Sequence, residues 1–404
     1  MPNLIIGQSG GPTAVINASL AGAFSAAKEK GIKTVYGMQH GIKGFLRGET
    51  VVLDEILGSD ENIELLKRTP ASFLGSCRFK LPDVDGDCEI YEQIFSRLHA
   101  LDIGYFLYIG GNDSMDTIKK LSEYASIVGS DVKFIGVPKT IDNDLAVTDH
   151  SPGFGSAAKY IATVVRELVC DCRVYDVEAV TILEIMGRNA GWLTASAALA
   201  RSRDCEGADL IYLPEKPFDE EEFIAKVRTL AAKKHSVVVV ISEGIRTADG
   251  KLLCERGEND SSVDAFGHKI MSGAGKYLET SIRKRIRGIK CRSVELSTPQ
   301  RCASHFASLT DINEAFAVGA EAACAAVSGE SGKVVIFVRK SDSPYECATE
   351  LRDVHEIANV ERKVPDEWIC DGYVTDDVVR YIRPLIQGEL SPIIEDGVPK
   401  MIRL

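Results

Sequence analysis

The sequence contains no hydrophobic run long enough to cross a membrane. The longest apolar stretches of the 404-residue chain, such as SVVVVIS at 236–242, fall well short of the roughly 20 residues that a transmembrane helix needs. The opening residues MPNLIIGQSGGPT carry neither the basic leader nor the cleavage site of a signal peptide, and they predict a first β-strand. We therefore expect a soluble protein without a membrane partner.

Positive charge is also scarce, because 47 Lys and Arg face 59 Asp and Glu for a net charge of −12. This balance argues against nucleic acid as a partner, so any phosphate site must be a local cluster of donors. The 11 cysteines are scattered and form no CxxC pair. Their pattern gives no sign of a zinc site and favours reduced thiols in a cytoplasmic protein.

No Pro/Gly/Ser-rich linker and no internal repeat divides the chain, although its length suits two domains. Short apolar runs alternate with helical periodicity, which predicts an α/β, doubly wound architecture with mostly parallel sheets. Ligands of such sheets bind beyond the carboxyl ends of the strands. The predicted strands are NLIIG, KTVYG, YFLYIG, VKFIGV, AVTILEI, DLIYLP, SVVVVIS and KVVIFV.

The first of the strand-end turns, IIGQSGGPTAVIN, places Gly10 and Gly11 between a strand and a helix. Glycines there let backbone N–H groups approach an anion, and the helix dipole favours its charge. The turn matches neither the dinucleotide fingerprint nor the GxxxxGK[ST] P-loop. Taken alone it is either an anion loop or a tight structural turn.

The second turn, YIGGNDSMD, runs a strand into Gly110 and Gly111 and then into Asn112, Asp113 and Ser114. Ser114 is expected to cap the following helix, and Asn112 with Asp113 offers oxygen ligands for Mg2+. The alternative is a helix-capping loop with a solvated Asp113. A carboxylate at a phosphate loop favours a cation-bridged phosphate over a bare one.

The third turn, VPKTIDND, concentrates charge after another strand, with Lys139, Thr140, Asp142 and Asp144 close together. Carboxylates beside a lysine can supply a general base, a metal ligand and a phosphate clamp. A plain surface loop could carry the same charges. We favour the catalytic interpretation because this is the third phosphate-like turn of one chain.

Four motifs together resemble the 6-phosphofructokinase family in order and spacing: GGNDS at 110–114, PKTIDND at 138–144, MGRNAGW at 186–192 and SEG at 242–244. The resemblance covers residues 1 to about 330, and the tail beyond is similar to a bacterial pyrophosphate-dependent branch. It implies two Rossmann-like domains facing a cleft. Residues 1–138 plus about 250–295 would bind pyrophosphate and Mg2+, and 139–249 plus about 296–404 would bind fructose 6-phosphate. A homodimer or homotetramer is expected.

The resemblance also implies roles for individual residues. Asp113 and Lys139 stand where ATP-using members have glycine, which matches the pyrophosphate-dependent branch. The Asp113 carboxylate would repel a nucleotide's α-phosphate, and Lys139 would add charge for a compact donor. The donor set is Gly11, Arg78, Gly111, Asn112, Asp113, Ser114 and Lys139, with Asn112 and Asp113 as the metal ligands.

On the acceptor side, Asp142 matches the family's proton acceptor, and Arg188 completes the catalytic set with Lys139 and Asp113. Arg301 matches the arginine that holds the sugar's 6-phosphate, supplied across a subunit interface in many members. Glu243 matches the carboxylate that binds sugar hydroxyls. The complete acceptor set is Thr140, Ile141, Asp142, Met186, Gly187, Arg188, Glu243 and Arg301.

Two departures from the family pattern keep other functions open. An acidic metal-site position is Asn112 here, and an interfacial arginine is replaced by Ala179, for which Arg173, Lys340 or Tyr345 could compensate. The leading hypothesis is a reversible pyrophosphate-dependent phosphofructokinase. The alternatives are an ATP-dependent phosphofructokinase and a catalytically weak, regulatory sugar-phosphate-binding paralogue. A nicotinamide-dependent dehydrogenase shares the fold class but would need a glycine fingerprint that is missing.

Overall fold

The computed structural model describes residues 1–86, 88–174, 176–256 and 273–404. The strands of these ranges are β1 (Asn3–Gln8), β2 (Val35–Met38), β3 (Thr50–Val52), β4 (Ile103–Gly110), β5 (Lys133–Pro138), β6 (Ala179–Ile185), β7 (Leu210–Tyr212), β8 (Ser236–Ser242), β9 (Lys290–Glu295), β10 (Lys333–Asp342), β11 (Tyr345–Asp353), β12 (Ile369–Cys370), β13 (Tyr373–Val374), β14 (Ile394–Glu395) and β15 (Val398–Pro399). The helices are α1 (Ile16–Glu29), α2 (Gly41–Arg47), α3 (Asp60–Arg68), α4 (Glu89–Ala100), α5 (Asn112–Val128), α6 (Phe154–Cys172), α7 (Trp192–Ala195), α8 (Glu220–Ala231), α9 (Ala274–Arg285), α10 (Pro299–Cys302), α11 (Leu309–Val327) and α12 (Asp376–Ile382).

Two large sheets organise these elements. The first has seven strands in the order β11-β10-β5-β4-β1-β2-β3, and the second has four in the order β7-β8-β6-β9. Strands β10, β5, β4, β1 and β2 run parallel, and antiparallel β11 and β3 close the edges. The second sheet is parallel throughout. The predicted α/β fold with two doubly wound sheets is confirmed.

Both faces of each sheet are covered, which explains why the central strands β1, β4, β5, β6 and β8 are apolar at most positions. In β1, Leu4 and Ile6 pack into one core while Ile5 packs into the core on the opposite face. In β6, the successive residues Ile182 and Leu183 likewise pack into cores on opposite faces of the second sheet. No helix of the described ranges has the length and apolar character that a membrane span requires.

The eight strands predicted from apolar runs are all present, and seven others in the described ranges were missed, four of which are only two residues long. Strand β9, KCRSVE, has four polar residues and a single buried position, Cys291, so a search for continuous apolar runs did not find it. The edge strand β3, TVV, is half-buried and only three residues long, and the edge strand β11 is polar at most positions. Residues 348–353 of the tail provide most of β11.

The predicted division of the chain needs two corrections. Strand β9, assigned with 250–295 to the first domain, pairs with β6 of the second sheet; residues 257–272 of that segment lie outside the described ranges. Strands β10 and β11, assigned to the second domain, extend the first sheet. Strand pairing between residues so far apart depends on packing that a local apolar pattern does not encode.

Helix α11 also belongs to the first domain, because it packs closely along α1. A Cβ on Gly22 would lie 1.9 Å from the carbonyl oxygen of Phe316, and one on Gly319 would lie 2.0 Å from that of Ser19. The two backbones therefore approach to a distance that only glycine permits at these positions. Helix α11 thus connects β9 of the second sheet to β10 of the first sheet.

A buried ion-pair network lies behind the loop that follows β5. His150 is 1% exposed, its Nδ1 lies 2.8 Å from Asp149 Oδ2, and its Nε2 lies 2.8 Å from Glu314 Oε2. The imidazole stacks on Phe337 at 4.5 Å. Burial lowers the pKa of His150, but the charge of Glu314 and the hydrogen bonds to both carboxylates outweigh it and raise the pKa to about 9.

This network predicts a pH-dependent stability. The folded-state pKa of His150 exceeds its ordinary value of 6.5. The contribution of His150 to folding stability is therefore complete below pH 6.5 and is lost as the pH rises through about 9. The free energy of unfolding should fall by roughly 3 kcal/mol across this range from this group. In urea titrations, His150→Gln should flatten the pH dependence.

The matched control is His355→Gln, since His355 also lies between two carboxylates, Asp353 and Glu123, but is half exposed. Exposed pairs contribute little to stability, so this variant should keep the parent's pH dependence. An equal flattening in both variants would contradict the assignment to His150.

Candidate active site

A cleft of about 400 Å³ lies at the carboxyl ends of the strands of both sheets. It is lined by the turns after β1, β4, β5, β6 and β8, together with residues 77–79, 301 and 361. Of the predicted site residues, Gly187 does not line the cleft. The predicted residues that do are Gly11, Arg78, Gly111, Asn112, Asp113, Ser114, Lys139, Thr140, Ile141, Asp142, Met186, Arg188, Glu243 and Arg301.

The turn after β4 presents the N-terminus of α5 to the cleft. The helix begins at Asn112 with Gly111 as its N-cap, and Ser114 is buried with its side chain against Gly110. A Cβ on Gly110 would lie 1.9 Å from Ser114 Oγ, so this position requires glycine. The prediction that Ser114 caps the helix is therefore wrong: Ser114 lies within the first turn, and its backbone N–H donates to the carbonyl oxygen of Gly111 at 2.9 Å. The dipole at this end of α5 favours an anion.

The side chain of Asn112 is engaged by the tail of the chain. Its Nδ2 donates to the carbonyl oxygen of Val360 at 2.9 Å, and its Oδ1 accepts from the backbone N–H of Asn359 at 2.6 Å. The neighbouring Asp113 is exposed and lines the cleft. Of the two predicted metal ligands, Asp113 thus presents its carboxylate to the cleft, whereas the carboxamide of Asn112 is held by backbone.

Lys139 joins the turns after β1 and β5. It is 2% exposed, and its Nζ donates to the carbonyl oxygen of Gly11 at 2.6 Å. Burial lowers the pKa of the Lys139 ammonium to about 8; the charge of Asp142 raises it and that of Arg301 lowers it further. The ammonium is still mostly protonated at neutral pH, so it places a positive charge beside the Gly11 turn.

Asp142 and Asp144 provide carboxylates with raised proton affinity. Burial raises the pKa of Asp142, while the charges of Lys139 and Arg188 oppose the rise. The pKa of Asp144 is raised to about 7, first by burial and then by the charge of Asp142. A carboxylate whose pKa is raised toward neutrality is a stronger base and can accept a proton from a hydroxyl.

Glu243 follows β8 and faces the turn after β6. Its Oε1 accepts from the backbone N–H of Gly187 at 3.3 Å, and burial raises its pKa to about 7. The same turn is held from the other side, because the backbone N–H of Met186 donates to Gln300 Oε1 at 3.1 Å. The backbone of Gly187 thus contacts a cleft residue, although Gly187 itself does not line the cleft.

Arg301 lies next to the first turn. Its Nη1 is 3.5 Å from the position that a Cβ on Gly11 would occupy. Its Nε is buried without a hydrogen-bond partner in the part of the chain that the structure describes. The sequence placed Gly11 with the donor and Arg301 with the sugar phosphate, whereas the structure brings both together within the cleft of a single chain.

The residues suggested to replace the missing arginine at Ala179 do not line this cleft. Arg173 pairs with Glu206 at 3.0 Å, Lys340 pairs with Glu350 at 3.2 Å, and Tyr345 donates to Glu314. Within this chain, these three side chains therefore bind other side chains outside the cleft.

Sequence reasoning missed the contribution of the tail. Glu361 lines the cleft, its Oε1 accepts from Asn189 Nδ2 at 3.1 Å, and its backbone forms a bridge with Leu145. Glu361 lies in no recognisable motif, so the local sequence did not indicate its position in the cleft. The remaining cleft residues that were not predicted lie within or beside the recognised motifs, or beside Arg78. They are Ser9, Gly10, Pro12, Cys77, Phe79, Asp144, Asn189 and Ala190.

Comparisons with known proteins agree with the motifs. The profile of a family described as Phosphofructokinase matches residues 3–326. A pyrophosphate-fructose 6-phosphate 1-phosphotransferase of Xanthomonas campestris is 42% identical, and one of Methylococcus capsulatus is 41% identical; each alignment covers 100% of this chain and 96% of the relative. A crystal structure of pyrophosphate-dependent phosphofructokinase from Nitrosospira multiformis has a TM-score of 0.89 and 36% identity, covering 100% of this chain and 96% of that one.

Proposed function

Because this chain belongs to the phosphofructokinase family, we propose that it reversibly transfers a phosphoryl group from pyrophosphate to the C1 hydroxyl of fructose 6-phosphate. The products are fructose 1,6-bisphosphate and phosphate. Relatives about 40% identical over the whole chain carry the name of this activity. The reaction belongs to glycolysis in one direction and to gluconeogenesis in the other.

The observation that carries the donor assignment is the position of Asp113 and Lys139 in one cleft. Asp113 is exposed at the N-terminus of α5, and buried Lys139 reaches the Gly11 turn from the opposite side. A carboxylate there repels an additional phosphate, while an ammonium attracts a short donor of high charge density. Gly11, Arg78, Gly111, Asn112 and Ser114 complete the donor site.

Asp142 acts as the general base. It accepts the proton of the C1 hydroxyl while the hydroxyl oxygen bonds to the terminal phosphorus and the bridging P–O bond of pyrophosphate breaks. Phosphoryl transfer depends mainly on positioning and charge neutralisation, which Lys139 and Arg188 supply to the transferred group.

The sugar is held by the turns around the same base. Glu243 accepts hydrogen bonds from sugar hydroxyls, and Arg301 pairs with the 6-phosphate, since a guanidinium matches phosphate geometry. The remaining contacts come from Thr140, Ile141, Met186, Gly187 and Arg188.

Mg2+ is the proposed cofactor, and the chemistry of the cleft suits it. The described residues contain no group of three His, Cys, Asp or Glu side chains able to bind a metal by themselves. Mg2+ characteristically takes one or two carboxylates together with phosphate oxygens and water. Asp113 would hold it together with the pyrophosphate, with Asn112 contributing less because the tail engages its carboxamide. When bound, the ion neutralises phosphate charge.

The assembly and location follow from the family relationship. The enzyme acts as a homodimer or homotetramer in the cytoplasm, without a nucleic-acid or membrane partner. The net charge of −12 agrees with this assignment, because an acidic surface is not attracted to anionic polymers.

A coupled assay with either pyrophosphate or ATP, at saturating fructose 6-phosphate and Mg2+, tests the proposal. We expect kcat/KM for pyrophosphate to exceed that for ATP by at least about 100-fold, equivalent to roughly 2.8 kcal/mol. Robust turnover with ATP alone would identify an ATP-dependent enzyme. Binding of sugar phosphate without turnover of either donor would identify the regulatory paralogue.

A further inference from the structure

The tail of the chain holds the loop that carries the proposed base. This base loop, residues 142–149, follows β5 and leads toward α6. Two residues of the tail, Arg362 and Tyr381, contact it from behind, and neither lines the cleft. We call these two residues the tail clamp.

Arg362 binds the backbone of the base loop at several points. Its Nη1 donates to the carbonyl oxygens of Thr148, at 3.1 Å, and Asp149, and its Nη2 donates to that of Asn143 at 3.3 Å. Its backbone N–H donates to the carbonyl oxygen of Asp144 at 2.7 Å. One residue thus fixes carbonyl groups at both ends of the loop.

Tyr381 ties the same loop through its hydroxyl group. The hydroxyl donates to the carbonyl oxygen of Asp149 at 2.5 Å and accepts from Asn143 Nδ2 at 3.0 Å and from Arg362 Nη2 at 2.8 Å. The tyrosine ring packs 5.2 Å from that of Trp192. The aromatic packing therefore sets the position of the hydroxyl, and the hydroxyl sets that of the loop.

The base loop needs such support because its backbone is strained. Asn143, the residue after Asp142, has φ +54°, and Val147 has φ +68°. Asparagine tolerates left-handed backbone, but for β-branched Val147 this conformation is strained. Conformations of this kind persist where surrounding contacts over-determine them. Asn143 is fully buried, and its Oδ1 also accepts from the backbone N–H of Ser151 at 3.0 Å.

We propose that Arg362 and Tyr381 are positioning residues for the phosphoryl transfer, which hold the strained base loop so that the Asp142 carboxylate faces the acceptor hydroxyl. The proposal rests on the proposed function for the identity of the reaction. The loop geometry that it describes is independent of the donor.

The main test is Tyr381→Phe in the full-length protein, because this change removes the hydroxyl and keeps the packed ring. We expect kcat to fall about 10- to 100-fold, as misplacing a reacting group by about 1 Å can do. The KM values for pyrophosphate and fructose 6-phosphate should change by less than a factor of about three, because the binding residues remain in place.

The matched control is Tyr373→Phe. Tyr373 lies in the same tail, and its buried hydroxyl has no hydrogen-bond partner within the described ranges. This variant should keep the parent's kcat. A loss of kcat in both variants, or a lower melting temperature of Tyr381→Phe with kcat unchanged well below it, would reduce the clamp to a packing role and overturn the proposal.

A second pair of variants addresses Arg362. Arg362→Lys keeps a cationic donor for the loop carbonyls and should retain more of kcat than Arg362→Met, with both KM values near those of the parent. Equal losses of kcat in the two variants would show that hydrogen bonding to the loop is not what matters.

Hydrogen–deuterium exchange separates this proposal from the assignment of the reaction. In Tyr381→Phe the backbone amides of Asp149 and Ser151, which are hydrogen-bonded in the parent, should exchange at least about tenfold faster, since the loop opens more readily. Unchanged exchange would overturn the clamp even if pyrophosphate proves to be the donor. Faster exchange in a protein that uses ATP would retain the clamp and reject the donor.

Discussion

Asp142→Asn is expected to lower kcat about 10²- to 10⁴-fold, the range that general-base groups contribute. The asparagine side chain keeps the shape of the carboxylate but cannot accept the proton of the C1 hydroxyl. The KM for fructose 6-phosphate should change little, because Glu243 and Arg301 remain in place. Steady-state rates with pyrophosphate, measured in both directions, provide the check.

The stability of the same variant guards against a trivial explanation. Burial raises the pKa of Asp142, so its charged form is disfavoured in the folded protein and a neutral amide should leave the melting temperature unchanged or higher. Asp144→Asn serves as the neighbouring control and should cost less activity. A kcat for Asp142→Asn within tenfold of the parent would assign the base to another residue.

The combined change Asp113→Gly and Lys139→Gly is expected to collapse the pyrophosphate reaction. Loss of the Lys139 ammonium alone should lower kcat/KM about 10²- to 10³-fold, the usual effect of removing one donor to developing charge. Loss of Asp113 removes a carboxylate proposed to hold Mg2+. Assays with pyrophosphate and ATP on the same preparation measure the loss and any gain of nucleotide use.

Controls follow from the contacts of each residue. Lys139→Gly also removes the hydrogen bond to Gly11, so the melting temperature must be compared with the parent before rates are interpreted. Asp83→Gly removes an exposed carboxylate outside the cleft and should leave both rates unchanged. Pyrophosphate activity of the double variant within tenfold of the parent would remove Asp113 and Lys139 from the donor assignment.

Much of the site was predictable because its residues sit in short motifs at strand ends. The strands that carry GGNDS and PKTIDND are continuous apolar runs, and parallel strands deliver their carboxyl ends to one edge of a sheet. Recognising each strand therefore brought Asp113, Lys139 and Asp142 into one cleft without knowledge of the strand order. Glu361 was not predictable in this way, because it reaches the cleft from a tail with no motif of its own.

The sequence by itself determined the α/β class, the eight apolar strands and the turns that line the cleft, because apolar periodicity and turn conformation depend on residues that are close together in the sequence. Only the tertiary structure decided that β9 joins the second sheet, that β10 and β11 extend the first, and that the tail engages Asn112 and the base loop. Apart from the β10–β11 hairpin, those contacts join residues more than a hundred positions apart. They depend on which surfaces of the folded chain pack together, and the local sequence around a residue does not determine that packing.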